Sequence, residues 1–129
     1  MNKFSRIILF LLTLTLAFSC RFKKDTGSID MDNWLSDRNG CKGLRIKDLK
    51  EIERLKNSFL GADNQALIVT FGRPDRVDLI DKSQTYFTYF LEPSIRCDEA
   101  EPKKEPLRVL FRLNSIERVS EVNITTQNP

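Results

Sequence analysis

Apolar residues run through this chain in three successive rhythms: a near-solid block, then a three-to-four spacing, then alternation. The block is Ile7 to Phe18, broken by Thr13 and Thr15, with Lys3 and Arg6 before it and Ser19 and Cys20 after it. A cationic start and an apolar run shorter than the ~20 residues of a bilayer span have the order of a secretory leader.

The second rhythm places Ile46, Leu49, Ile52, Leu55 and Phe59 on one stripe and predicts a helix over 46–59. Lys47, Asp48, Lys50, Glu51, Glu53 and Lys56 fill its solvated remainder. Gly61 suits the left-handed position after a helix, and Asp63 is a good N-cap for a second helix over 64–71. Gly72 ends that helix, and Pro74 prevents its continuation.

Beyond Pro74 the period falls to two. Strands are predicted over 76–80, 85–91, 106–113 and 116–124, with turns at Asp81–Gln84 and Asn114-Ser115. In the second strand, Tyr86, Thr88 and Phe90 share one face and Phe87, Tyr89 and Leu91 the other, the latter set being the more buried. In the third, Leu107, Val109, Phe111 and Leu113 line one face, while Arg108 and Arg112 point the other way. The fold class is therefore α+β, with two N-terminal helices packed on a three- to four-stranded antiparallel sheet.

Outside these rhythms, residues 21–32 are polar and weakly hydrophobic, which predicts a flexible tether. A single domain then occupies 33–125, ahead of a polar tail. Trp34 reads as a core or lid anchor, with a partner hot spot as the other reading, and Asn39-Gly40 as a turn. Residues 92–105 form a long acidic loop that holds Cys97.

Cysteine count sharpens the reading of the leader. Three cysteines leave one odd thiol in a secreted protein. The segment Leu16-Ala17-Phe18-Ser19-Cys20 resembles a lipobox, with small residues at −1 and −3 and a looser Phe18 between them. Residues 1–19 are then a lipoprotein signal peptide, and Cys20 is the lipidated (palmitate-bearing) residue. An uncleaved anchor, or plain secretion with a coincidental cysteine, are the alternatives. Assigning Cys20 to lipid leaves Cys41 to pair with Cys97, in a compartment that permits disulfides. Two free thiols are the other reading of that pair.

Charge and histidine content narrow the chemistry. Removing Lys3 and Arg6 with the leader leaves 19 basic against 18 acidic residues, about +1, which is no footprint for nucleic acid. Lys23 and Lys24 could add ~1 kcal/mol each near an anionic bilayer, although a solvated tether is the plainer reading. Histidine is absent, so no Ser-His-Asp or Cys-His system, histidine zinc site or histidine base can be built. Acidic residues are scattered without a persuasive pair. No catalytic residues, metal site or cofactor are expected, and the chain does not read as an enzyme.

The run Leu60-Gly61-Ala62-Asp63, Ala66-Leu67 and Phe71-Gly72-Arg73-Pro74-Asp75 resembles a pattern of small outer-membrane lipoproteins. The aromatic strand over 86–91, Leu107-Arg108-Val109-Leu110-Phe111 and the closing strand over 119–124 follow in the same order. The similarity is to the BamE (SmpA/OmlA) lipoproteins and their α-α-β-β-β relatives, among them β-lactamase-inhibitor-like domains. It covers roughly 55–124 and the lipidation signal. Residues 34–45, the cysteine pair and the 92–105 loop depart from that pattern, as in a divergent member.

The resemblance implies a lipid-anchored, periplasm-facing protein of the outer membrane that binds an envelope protein, accessory to outer-membrane assembly. Arg21 after the lipidated cysteine is not an acidic inner-membrane retention signal. The alternative is a proteinaceous inhibitor of a periplasmic or secreted enzyme. Arg73, Asp75, Tyr86 and Thr88 are the candidate partner contacts. Arg73 has no obvious structural duty, Asp75 can also satisfy backbone donors, and Tyr86 and Thr88 would offer an amphipathic platform if their face is exposed.

Overall fold

The structure, a computed structural model, describes residues 22–129 together with Asn2 and Lys3. The rest of the leader, Cys20 and Arg21 lie outside the described residues. Among the residues from 22 onward, three α-helices, α1 (Met31–Ser36), α2 (Leu49–Leu55) and α3 (Asn64–Phe71), precede four strands. The strands are β1 (Arg76–Ile80), β2 (Gln84–Phe90), β3 (Arg108–Leu113) and β4 (Val119–Thr125). All are antiparallel, in the order β1-β2-β3-β4. The fold is α+β.

α3 forms where its punctuation places it. Asp63 accepts from the Ala66 N–H at 2.7 Å, and Gly72 at φ 77° ends the helix in a conformation that costs other residues a Cβ clash. The predicted helix over 46–59 is regular only in α2. Tighter 3-10 turns flank it at Arg45–Asp48 and Lys56–Phe59. At its end the Ser58 hydroxyl donates to the Leu55 carbonyl at 2.7 Å, satisfying a terminal acceptor locally.

α1 carries too few apolar residues to register as periodic. Asp30 caps it by accepting from the Asn33 N–H at 3.0 Å, and Trp34 anchors it in the core. Order begins earlier than the predicted tether allows. Ile29 is only 6% exposed and belongs to the core, and the N–H groups of Lys24 and Ser28 donate to Thr70 and Glu51 at 2.9 and 3.1 Å. A single apolar residue with fixed backbone partners is enough to dock a segment whose composition reads as solvated.

β4 also begins later than predicted. Residues 114–118 form the hairpin turn, with Glu117 at φ 58° and the Asn114 side chain accepting from the Ile116 and Arg118 N–H groups. Gly61 and Ala62 then pair with Val119, tying the helix connection to the start of β4.

Phe59, Phe71, Tyr89 and Phe111 pack with centroids 5.1–5.9 Å apart between the helices and the sheet. Trp34 joins them 5.2 Å from Phe71, and its indole N–H donates to the Phe71 carbonyl at 3.1 Å. Such offset and edge-on pairs add to their area burial. Trp34 is thus a core residue. Phe87, Tyr89 and Leu91 are buried as expected.

The opposite sheet face is less open than alternation implies. Thr88, Phe90, Arg108 and Leu110 on it are also buried. Arg108 donates to the Thr126 carbonyl at 3.0 Å and, together with Arg76, to the Asn128 side chain, which holds the tail against this face.

Candidate functional site

The tightest polar constellation lies where α1, the turn after it and the β1–β2 pair meet. Asp37, Arg45 and Asp75 are all buried there. Asp75 Oδ2 accepts from Arg45 Nη1 at 2.6 Å and from the Phe90 N–H at 2.9 Å, while Oδ1 accepts from the Asn39 N–H at 3.1 Å. Arg38 Nε stands 3.5 Å from Oδ1 on the solvent side. Arg45 lies 4.8 Å above the Trp34 ring and donates through Nε to the Trp34 carbonyl at 2.9 Å. Asp37 accepts the backbone N–H groups of Lys42, Leu44 and Arg45 at 2.6–3.0 Å.

A buried ion pair whose remaining valences are filled by backbone groups is a brace, because each charge already has the partners that offset its desolvation. Tyr89 lies beside the brace, its ring 6.0 Å from the Arg45 guanidinium, and its hydroxyl donates to the Gly72 carbonyl at 2.9 Å. Burial and the Asp75 charge push the Tyr89 phenol well above its ordinary pKa, so it remains a donor.

A disulfide joins Cys41 to Cys97 and clips the 92–105 loop to this corner. The ends of that loop are held together: the Leu91 and Glu92 N–H groups donate to the Leu107 carbonyl, and the Leu107 N–H donates to Glu92 at 2.9 Å. Lys103 Nζ lies 2.6 Å from Glu92, and these two donors hold the Glu92 carboxyl below its ordinary pKa.

The four sequence-chosen contacts separate. Asp75 and Thr88 are adjacent, the Asp75 N–H donating to the Thr88 carbonyl at 2.9 Å, but both side chains are buried away from any surface a partner would meet. Asp75 turns inward because Arg45 and the Phe90 N–H compete for its oxygens. Thr88 is covered, so the condition for an exposed platform is not met there, and its hydroxyl has no hydrogen-bond partner among the described residues. Arg73 is exposed just before β1, and Tyr86 is half-buried opposite Asp78 of β1. No hydrogen bond or ion pair engages the Arg73 guanidinium among the described residues.

No protein-family model, curated protein or solved structure matches this chain. The remaining surface signal is geometric. β1 pairs with β2 alone, which leaves its outer edge unpaired among the described residues. On its helix-side face Val77 and Leu79 are 55% and 70% exposed, because α1–α3 do not extend over this end of the sheet. Alternation marked β1 as a strand, but an edge position and a bare face depend on the packing of other elements. Among the described residues no helix is long and apolar enough to cross a membrane.

Proposed function

We propose that this chain is a lipid-anchored, non-catalytic protein-binding domain. It is held at the periplasmic side of the outer membrane by lipid on Cys20 and acts as an accessory to envelope assembly, as a divergent relative of the BamE-like lipoproteins. The lipobox-like segment ending at Cys20 supports the anchor, and the Cys41–Cys97 disulfide suits an oxidising compartment. Binding rests chiefly on β1. An exposed edge strand carrying Val77 and Leu79 offers main-chain hydrogen bonds for affinity and two apolar side chains for selectivity toward an added partner strand. Arg73, three residues before the start of that strand, can meet an acidic flank of the same partner. Tethering to a bilayer would raise the effective concentration of such an encounter.

The test is photocrosslinking in the native envelope from a reactive residue placed at position 79, with position 47 on the solvated helical surface as control. An outer-membrane assembly protein captured from 79 alone supports the proposal. Capture of one soluble enzyme instead transfers the role to inhibition, and equal capture from both positions removes β1 as the binding edge.

A further inference from the structure

Two arginines are buried in this domain, and only one has an acid bonded to it. Arg45 is neutralised by Asp75 at 2.6 Å. Arg108 is 3% exposed, yet its three acceptors are neutral: the Pro106 carbonyl at 3.1 Å, the Asn128 side-chain oxygen at 2.5 Å and the Thr126 carbonyl at 3.0 Å. Arg76 donates to the same Asn128 oxygen at 2.9 Å, while its Nε is occupied by Asp78 at 2.7 Å. One amide oxygen therefore sits between two guanidinium groups.

Both cations lie over the Phe90 ring, at 5.9 Å for Arg76 and 5.1 Å for Arg108. They border a cavity of about 130 Å³ that Ser94, Lys104 and Asn128 also line. Burial, and then the neighbouring Arg76 charge, lower the Arg108 pKa against the opposing pull of the Asp78 and Glu105 carboxylates, although a guanidinium still keeps its proton.

We propose that Arg76 and Arg108, with Lys104 at the rim, form a binding site for a compact oxyanion, a carboxylate or phosphate group, which Asn128 occupies as a neutral substitute. The cavity is about 130 Å³. It is too small for the ~300–1,000 Å³ sites of larger ligands, but it takes one carboxylate or phosphate head. Such a group supplies the formal charge that Asn128 lacks, and hydrogen bonds with an ionised partner are about twice as strong as neutral ones. The tail competes as an intramolecular ligand with an effective concentration in the mM range, so removing its side chain strengthens binding. The site shares Arg76 with β1 but lies on the sheet face opposite Val77 and Leu79, and it does not depend on strand addition at that edge.

The experiment is a titration of the full chain in mild detergent, at constant ionic strength, with sodium phosphate, sodium acetate and a blocked glutamate peptide. The readout is the Arg Nε–H NMR signals of Arg76 and Arg108. Saturable shifts of both, tightened at least about fivefold in Asn128→Ala and weakened about tenfold in Arg76→Gln, are expected. A glutamate peptide that binds more tightly than acetate identifies a polypeptide source, whereas equal or tighter binding of phosphate identifies a free anion. Non-saturable shifts in both the wild type and Asn128→Ala overturn the site. So does an affinity that neither substitution moves while circular dichroism shows both variants folded.

Discussion

At the scale of single residues, Asp75 carries more of this structure than any exposed charge. Asp75→Asn would leave Arg45 buried beside an amide, and breaking a buried pair in this way costs about 3–5 kcal/mol. A urea-unfolding curve should show that loss. A change under about 1 kcal/mol would place Asp75 outside the brace. Its part as an acceptor of backbone donors was legible from its position after Pro74. Arg45 was not, since a charge between Leu44 and Ile46 reads like any surface residue until Asp75, 30 positions later, is placed against it.

Glu51 gives a second residue-scale prediction. Its hydrogen bond from Arg54, and then the Ser28 N–H, lower its pKa from the usual 4.5 to about 2. The folded form thus binds fewer protons than the unfolded chain between these values. The stabilisation is complete above pH 4.5 and disappears as pH falls toward 2. Unfolding midpoints measured from pH 5 to 2.5 should decline less steeply in Glu51→Gln than in the wild type. Parallel declines would show that Glu51 does not hold the 24–30 segment.

At the scale of elements, the disulfide and the β1 edge make different demands. Cys41 and Cys97 are 56 positions apart, a separation for which chain entropy gives ~4 kcal/mol. Replacing both by Ser should lower stability by about 2–5 kcal/mol while the helices and sheet persist in far-ultraviolet circular dichroism. Loss of less than about 1 kcal/mol would mean that the Glu92–Leu107 bonds close the loop alone. Val77→Asp with Leu79→Asp, by contrast, should change stability by no more than about 1 kcal/mol, because both side chains are already largely in water. The pair should nevertheless abolish position-specific capture of a partner. Helix caps and strand alternation made most elements legible, because they act within a few residues. α1 was not, because Trp34 is the one buried residue in its six, and neither was the docked 24–30 segment, because Glu51 and Thr70 hold it from distant positions.

At the scale of the whole molecule, the proposed anchor can be tested apart from the fold. Cys20→Ser should move the protein from the membrane pellet to the soluble periplasmic fraction and abolish labelling by a palmitate analogue, with the Cys41–Cys97 bond intact. Continued sedimentation with membranes would replace the lipid by another means of attachment.

The sequence by itself determined the α+β class, the helix punctuation at Gly61, Asp63 and Gly72 and the inward set Phe87, Tyr89 and Leu91, and made the Cys41–Cys97 pair an expectation that the structure then decided. Each follows from backbone conformation, side-chain period or a count, and these are properties of short stretches. Only the tertiary structure decided that Asp75 and Thr88 are buried, that Val77 and Leu79 are bare, and that Asn128 lies between Arg76 and Arg108. Burial and charge pairing depend on what arrives from 30 to 50 residues away along the chain. A polar residue that alternation assigns to solvent is therefore buried as soon as a remote segment covers it.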